Sequence, residues 1–201
     1  MVDYTTPYQV VSSRERFSGA VIRVVSDEVA MPGGDTAVRD YVIHPGAVGV
    51  VALDEQARVL LLRQYRHPVR ETLWELPAGL LDVADEEPLA AARRELYEEG
   101  AFRADRWDLL VDAFSSPGGC DEKIRVFLAR GLHTVADDDR FQGIAEESDL
   151  EVHWVDLNEA VSWTMSGRIL NAMCSIGLLA AVRARDQNWA LLRAADTPWP
   201  A

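Results

Sequence analysis

Apolar and polar positions predict strands in the first third of the chain. The segment 47–54, AVGVVALD, is apolar almost throughout, which is typical of a strand buried on both faces. The polar turn at 55–58 follows it, and residues 59–66, VLLLRQYR, are predicted as its hairpin partner. Upstream, two shorter strands flank a Pro-Gly-Gly turn at 32–34, whereas residues 1–17 are polar and show only a weak pattern.

Residues 88–100 have apolar positions at helical spacing. A helix is predicted to start near Pro88, because proline suits a first helical turn, and to stop at Gly100. The acidic candidates for its N-terminal cap are Asp85, Glu86 and Glu87. Its buried stripe consists of Leu89, Ala92 and Leu96.

The second half of the chain continues with strands and closes with helices. Strands are predicted at 107–114, 123–132 and 151–157, and helices at 157–167, ending at Gly167, and at 169–185, with a buried core from Ile169 to Val182. Because strands outnumber helices without strict alternation, the fold class is α+β or a mixed α/β/α arrangement. We expect an N-terminal strand region at 1–44, one main domain at 45–186 and a C-terminal tail at 187–201, whose last six residues, 196–201, are loosely held.

Charge and cysteine content narrow the function. The 201 residues carry a net charge of −13 with pI near 4.7, which disfavours nucleic acids and anionic membranes as partners. A phosphate-bearing small molecule stays compatible if a divalent metal reverses the local sign. Cys120 and Cys174 form no CxxC pair and follow no secretory signal, and no run of 18 apolar residues occurs. We expect a cytoplasmic protein with two free thiols.

Carboxylates crowd the end of the helix predicted from Pro88. Glu95 and Glu99 fall about 40° apart on a helical wheel, with Glu98 on the outer side of the same flank. Such carboxylates repel one another unless a hard cation such as Mg²⁺ or Mn²⁺ gathers their oxygens. Arg94 is positioned to hold one of them by a forked hydrogen bond. The alternative is an ordinary solvated helix surface.

The turn before this helix favours the metal interpretation. In Leu-Pro-Ala-Gly, residues 76–79, the backbone carbonyl of Ala78 offers one more oxygen ligand. Residues 79–102 then resemble the Nudix hydrolase signature, which is Gly, five residues, Glu, seven residues, Arg-Glu-apolar-x-Glu-Glu-x-Gly-apolar. Two positions depart from it: one extra residue separates Gly79 from Glu86, unless Asp85 takes that role, and Ala101 replaces the closing glycine.

Segments outside the signature resemble the ADP-ribose pyrophosphatase branch of this family. They include GAVGVVALD, LWELPAGLLDVA, SSPGGCDEKIRVFLARGL and AEESDLEVHWVDLNEA, and Pro117 stands fifteen residues after Phe102. The resemblance implies a Nudix fold, an α/β/α sandwich with a mixed central sheet plus an N-terminal strand extension. It also implies hydrolysis of ADP-ribose to AMP and ribose 5-phosphate with Mg²⁺ or Mn²⁺, in a homodimer built by residues 18–44. The alternatives are another nucleoside diphosphate substrate, such as a nucleotide sugar or NADH, and a non-catalytic Nudix-like regulator.

The resemblance assigns roles to particular residues. The metal ligands it implies are the Ala78 carbonyl, Glu95, Glu99 and the shared ligand Glu98. The catalytic group consists of Glu98, Arg94 and a general base on a later loop, Glu147, with Glu146 as the alternative. The substrate-binding candidates are Arg39, Arg66, Glu75, Gly79 and Pro117. The two arginines would pair with phosphate or else be surface cations, Glu75 would bond a ribose hydroxyl, and Trp74 is assigned to the core.

Overall fold

The computed structural model describes residues 8–136, 138, 141 and 150–199. Its strands are β1 (Gln9–Ser18), β2 (Arg23–Ala30), β3 (Thr36–Ile43), β4 (Ala47–Ala52), β5 (Arg58–Arg66), β6 (Glu71–Glu75), β7 (Ala78–Leu80), β8 (Phe102–Phe114), β9 (Lys123–Thr134), β10 (Glu151–Asp156) and β11 (Arg193–Ala194). Its helices are α1 (Pro88–Gly100), α2 (Leu157–Met165) and α3 (Ala172–Asp186). Two compact units result, Met1–Gly46 with Phe114–Lys123 and Ala47–Ala113 with Ile124–Ala201.

The larger unit contains two sheets. One has five strands in the order β11-β8-β9-β4-β7, and the other has three in the order β10-β5-β6. Strand β4 runs parallel to β9, with partners from Ala47 and Ile124 to Ala52 and Ala129, whereas it is antiparallel to β7. The predicted α+β class with a mixed central sheet is therefore confirmed.

Both faces of the five-stranded sheet are covered, which explains the continuous apolar pattern of β4. Its side chains alternate, so Val48 and Val50 join a core with Leu96 of α1, while Val51 joins a second core with Leu178 of α3. All five residues named are fully buried. The two cores place a helix on each side of the sheet, as in the predicted α/β/α sandwich.

The predicted hairpin between β4 and β5 is wrong. The two strands meet only at an isolated bridge between Leu53 and Val59, and β5 instead pairs with β6 and β10. Both edges of β4 are already occupied by β7 and β9, so β5 crosses into the other sheet. Adjacent apolar strands in a sequence therefore need not be neighbours when both are buried on two faces.

Helix α1 has the predicted bounds but not the predicted acidic cap. Glu87 occupies the N-cap position with extended backbone, and its side chain makes no capping hydrogen bond. At the other end, Ala101 adopts a left-handed conformation with φ of 56°. Its backbone N–H donates to the carbonyls of Leu96 and Tyr97, which closes the last turn.

The two later helices begin at side-chain caps. Asp156 accepts hydrogen bonds from the backbone N–H groups of Asn158 and Glu159 in α2, and Asn171 accepts one from the N–H of Cys174 in α3. Helix α3 therefore starts at Ala172, later than predicted, and α2 ends two residues before Gly167. Among the described helices, none combines the length and apolar character that crossing a bilayer requires.

The C-terminal segment contacts the larger unit at defined residues over its described part. Strand β11 pairs with β8, and Arg125 donates to the carbonyl oxygen of Thr197 at 2.8 Å. The Arg125 guanidinium also lies 5.2 Å from the ring centroid of Trp199. Arg125 is buried and paired with Asp112 at 2.7 Å, so the tail contacts a fixed group.

The smaller unit is an antiparallel sheet in the order β1-β2-β3, joined by the loop 114–123. The sequence pattern missed β1, because all ten of its residues are exposed and no face alternates. The loop attaches to the end of β3, where the N–H of Val42 donates to the Gly119 carbonyl at 2.9 Å and Val42 bridges Cys120.

Candidate active site

The sequence predicted a turn at 76–79, but Ala78 and Gly79 belong to strand β7, and two of the predicted metal ligands, Glu95 and Glu99, lie against this strand. Glu95 is buried, and Glu98 and Glu99 are half-buried. The Glu95 carboxylate lies against the α-carbon of Gly79, so a β-carbon at that position would collide with it. The backbone N–H of Ala78 donates to Glu99 Oε2 at 2.8 Å. Strand β7 therefore contacts two of the three carboxylates at the edge of the five-stranded sheet.

Arg94 links three carboxylates rather than the one that its sequence position suggested. Its Nε and Nη2 donate to both oxygens of Glu86 at 3.0 and 2.9 Å. Its Nη1 donates to Glu95 at 2.5 Å and to Glu98 at 3.2 Å. The hydrogen bonds from Arg94 lower the pKa of Glu86, against the opposing effect of burial. The bond to Glu86 first of all, with those to Glu95 and Glu98, raises the pKa of Arg94 above its ordinary value, again against burial.

The role of Glu86 was left open by the sequence, and the structure makes it the forked partner of Arg94. Glu86 lies just before α1 and Arg94 in its second turn, eight positions later. Because Glu86 lies outside the helix and Arg94 inside it, the helical period of about 3.6 residues could not predict that the two side chains meet. The only signal available in the sequence was the family signature, in which an acid precedes the arginine at about this distance.

The donor set at this site has the chemistry that a hard divalent cation requires. Glu95, Glu98 and Glu99 supply carboxylate oxygens on one flank of α1, and β7 places Ala78 next to Glu99. The single positive charge of Arg94 faces three carboxylates, those of Glu86, Glu95 and Glu98, so the cluster keeps an excess of negative charge. Within the described residues, no three His, Cys, Asp or Glu side chains are arranged around a common metal position, and Arg94 bonds two of the three glutamates.

Arg66 and Glu75 form a two-point ion pair. The Arg66 Nε and Nη2 atoms lie 2.9 and 2.6 Å from the two oxygens of Glu75. Glu75 is only 3% exposed, whereas 41% of the Arg66 side chain is accessible. The structure thus brings together two of the predicted substrate-binding residues. Burial raises the pKa of the Cys174 thiol, and the negative charge of Glu75 raises it further.

Trp74 packs in an aromatic cluster, in agreement with its assignment to the core. Its ring centroid lies 5.2 Å from that of Trp163 and 5.0 Å from that of His153. Arg63 and Arg168 approach the same ring at 5.4 and 5.7 Å. Trp74 also packs against the core that contains α3. The cluster holds strand β6, and with it Glu75, in place.

Arg39 and Pro117 line one groove in the smaller unit, of about 450 Å³. The groove lies between the end of β3 and the loop 114–123, and Tyr41 and Cys120 also line it. The Tyr41 hydroxyl donates to Asp27 at 3.0 Å. Burial raises the pKa of Tyr41, and this hydrogen bond to Asp27 raises it further. These two predicted substrate-binding residues are therefore neighbours, although 78 positions apart in a 201-residue chain.

The predicted general base lies outside the described residues. Glu147 and its alternative Glu146 both fall within 142–149, so their assignment stays a prediction. Both cysteines are free thiols, as expected.

Fold and site together define the class of protein. The chain matches the NUDIX domain family over residues 43–172, and it belongs to the Nudix hydrolase family. It is 41% identical over 192 residues to the ADP-ribose pyrophosphatase of Mycobacterium tuberculosis, covering 96% of this chain and 91% of that protein. It is 31% identical to the methanol dehydrogenase activator of Bacillus methanolicus, covering 85% and 90%.

A solved structure shares the fold. The crystal structure of an ADP compounds hydrolase superposes with a TM-score of 0.74 and 18% sequence identity, covering 91% of this chain and 97% of that one. The expectation of a Nudix fold with an N-terminal strand extension is confirmed.

Proposed function

We propose that this protein hydrolyses the pyrophosphate bond of ADP-ribose to give AMP and ribose 5-phosphate. The observation that carries the proposal is the set of glutamates on α1 that contact Arg94 and the start of strand β7, Ala78 and Gly79. The 41% identity to an ADP-ribose pyrophosphatase over 96% of the chain supports the substrate.

We infer that Mg²⁺ or Mn²⁺ is held by Glu95, Glu98, Glu99 and the carbonyl of Ala78. A divalent ion at such a site neutralises phosphate charge and lowers the pKa of bound water. The chain's own part is to present the oxygens: the Ala78 N–H orients Glu99, and Gly79 leaves room for the carboxylate of Glu95. Arg94 keeps several carboxylates close together by offsetting their repulsion.

The remaining candidates act on the substrate in this proposal. Arg66 binds a phosphate oxygen, and buried Glu75 orients its guanidinium through two hydrogen bonds. The burial of Glu75 favours this positioning role over direct contact with a ribose hydroxyl. Arg39 and Pro117 form part of a substrate groove in the smaller unit. Glu147 is proposed as the general base.

A glutamate-to-glutamine substitution tests the proposal. AMP release from ADP-ribose should depend on added Mg²⁺ or Mn²⁺ and should fall at least about a hundredfold in kcat/KM for Glu99→Gln, because a metal ligand is worth several kcal/mol in the transition state. The matched control is Glu55→Gln, since Glu55 lies in an exposed turn between β4 and β5. Full turnover by Glu99→Gln would show that the metal site is wrongly assigned.

The alternative is a different nucleoside diphosphate substrate, such as a nucleotide sugar or NADH. A relative from Pectobacterium atrosepticum that is named GDP-mannose pyrophosphatase, 29% identical over 168 residues, favours a nucleotide sugar. Ranking a panel of diphosphates by kcat/KM decides between them. A low rank for ADP-ribose would exclude the first proposal and retain the enzyme class, whereas binding of ADP-ribose without turnover under either metal would indicate a regulator.

We further infer a homodimer assembled through residues 18–44 and the adjoining β1. Strand β1 exposes Val10, Val11 and Phe17 by 59%, 60% and 55%, which is unusual for three large apolar residues on one strand facing water. The two free thiols support a reducing compartment such as the cytoplasm.

A further inference from the structure

A second groove of about 470 Å³ lies between helix α1 and strand β8 of the larger unit. The groove residues that matter for its chemistry are Arg93, Arg94, Tyr97, Glu98, Arg103 and Trp107. Its volume lies within the range of about 300–1,000 Å³ that is usual for small-molecule sites. None of the site residues assigned so far, apart from Arg94 and Glu98 at its margin, belongs to it.

This groove lies on a different side of α1 from the proposed metal ligands. At 100° per residue, Arg93 and Tyr97 each fall about 160° around the helix axis from Glu95, and about 40° from each other. The buried stripe of the helix separates them on one side, and Arg94 and Glu98 separate them on the other. A molecule resting on Tyr97 therefore would not occupy the position assigned to the metal.

Each of the two aromatic rings that line the groove, Trp107 and Tyr97, packs against the guanidinium group of an arginine. Arg93 lies 5.9 Å from the ring centroid of Trp107, and Arg103 lies 5.4 Å from that of Tyr97. Because Arg93 and Tyr97 are one helical turn apart and Arg103 and Trp107 are on the same face of β8, the two pairs stand side by side. The result is two cations next to two flat rings.

Two contacts inside the protein hold the Trp107 side chain in place, so the ring that lines the groove is ordered before any ligand binds. Its indole N–H donates to the carbonyl of Ala104 at 3.1 Å. Its ring packs edge-to-face against that of the fully buried Phe127, with 6.4 Å between the two ring centroids. Because the indole N–H of Trp107 is already bonded, this side chain offers the groove an apolar ring and no free hydrogen-bond donor. A site whose walls are already ordered loses less entropy when a ligand binds.

The charge of the groove is opposite to that of the whole chain. Three arginines and one glutamate line it, in a protein with a net charge of −13. Arg94 is engaged by Glu86, Glu95 and Glu98. Arg93 and Arg103 are exposed, and neither forms an ion pair within the part of the chain that the structure describes. Two guanidinium groups thus keep their forked donors for an anion.

We propose that this groove binds a phosphate monoester that carries an aromatic ring, of which a nucleoside monophosphate is the simplest example. Arg93 and Arg103 contact the phosphate by charge-assisted hydrogen bonds, and the ring stacks against Trp107 or Tyr97. The site shares only Arg94 and Glu98 with the proposed hydrolytic site, and its existence does not depend on which diphosphate that site cleaves.

Calorimetric titration of the full chain with AMP, in a chelator that removes divalent ions, tests this inference. We expect one binding event, and a loss of at least about tenfold in affinity in Arg93→Ala/Arg103→Ala, since each contact to a charged group contributes more than a neutral one. The matched control is Arg106→Ala, because Arg106 is an exposed arginine of the same strand that does not line the groove. Both variants change exposed side chains, so folding should be retained, and circular dichroism verifies this.

Three further measurements make the outcome decisive. Arg66→Gln should bind AMP with unchanged affinity, and loss of binding there would instead place the AMP phosphate in the hydrolytic site and overturn the proposal. Inorganic phosphate and ribose 5-phosphate should bind at least about tenfold more weakly than AMP, because they lack the ring that stacks. Equal affinity of the three ligands, or equal affinity of the double variant and the wild type, would also overturn it.

Discussion

At the scale of single residues, Arg94 dominates the electrostatics of the candidate active site. It is 31% exposed and contacts Glu86, Glu95 and Glu98, so one guanidinium offsets three negative charges. Removing it would leave partly buried carboxylates without their partner, which costs more than the loss of a surface ion pair.

Arg94→Gln should therefore lower the free energy of unfolding at pH 7 by about 2–3 kcal/mol, the contribution of hydrogen bonds to charged groups. Because Arg94 lowers the pKa of Glu86, the stabilisation is complete above the ordinary carboxyl pKa of about 4.3 and is lost as pH falls toward the lower folded value. Urea unfolding at pH 7 and pH 3.5 measures both effects. The gap between variant and wild type should shrink at the lower pH, and a gap that persists there contradicts the assignment.

Gly79 controls the position of Glu95. A β-carbon built on it collides with the Glu95 carboxylate, and Gly79 is not among the glycines with positive φ, so the contact and not the backbone is at stake. Gly79→Ala should reduce kcat/KM for diphosphate hydrolysis by about a hundredfold, as expected for a catalytic group displaced by about 1 Å.

The control for that substitution is Gly33→Ala, since a β-carbon there meets no heavy atom within 4 Å. Unchanged activity in Gly33→Ala together with the loss in Gly79→Ala would tie the effect to Glu95. If Gly79→Ala keeps wild-type activity, Glu95 is not required at the position that the structure gives it.

At the scale of elements, the sequence predicted the helices and strands whose apolar pattern or end signals are strong. Helix α1 has the bounds expected from Pro88 and Gly100, and β4 is buried on both faces as its apolar run indicated. Pairing was harder, because the partner of β5 depends on which edges of β4 are occupied. Strand β1 gave no signal, since all its residues are exposed. The forked pairing of Glu86 lies between elements, where no periodicity reports it.

The end of α1 offers a direct test of local strain. Ala101 adopts φ of 56°, a conformation in which an L-residue other than glycine is disfavoured, and the Nudix signature has glycine at this position. Ala101→Gly should raise the free energy of unfolding by about 0.5–1 kcal/mol, after the larger backbone entropy of glycine is subtracted.

The opposite sign is expected in the middle of a helix. Ala180→Gly within α3 should lower the free energy of unfolding by about 1 kcal/mol, because Ala180 has ordinary helical geometry. Thermal or urea unfolding of the two variants compares them directly. Destabilisation by Ala101→Gly would mean that the β-carbon of Ala101 makes a contact worth more than the relief of strain.

At the scale of the whole molecule, the proposed dimer depends on the exposed apolar residues of strand β1. Strand β1 exposes three large apolar residues, Val10, Val11 and Phe17, within ten positions, whereas those of the larger unit, such as Met165 and Leu170, lie on different elements. If a second copy covers β1, its valine and phenylalanine side chains are buried in the dimer, and a charge placed there opposes association.

Light scattering during gel filtration should give about twice 22.3 kDa for the wild type and about that mass for Val11→Glu. The matched control is Val152→Glu on β10, which changes a valine that is also exposed, by 45% against 60% for Val11. The control should remain a dimer. A monomeric wild type, or a Val11→Glu protein of unchanged mass, would exclude association through this strand.

The parallel pairing of β4 with β9 has a consequence for biosynthesis. All of α1 and β8 must leave the ribosome before β9 is available, so the nascent chain exposes the apolar strand β4 while its ladder partner is still being translated. Parallel contacts between distant segments also form slowly, because loop closure precedes any gain from the contact. A ribosome stalled after β8 would therefore carry a chain that still needs protection by chaperones.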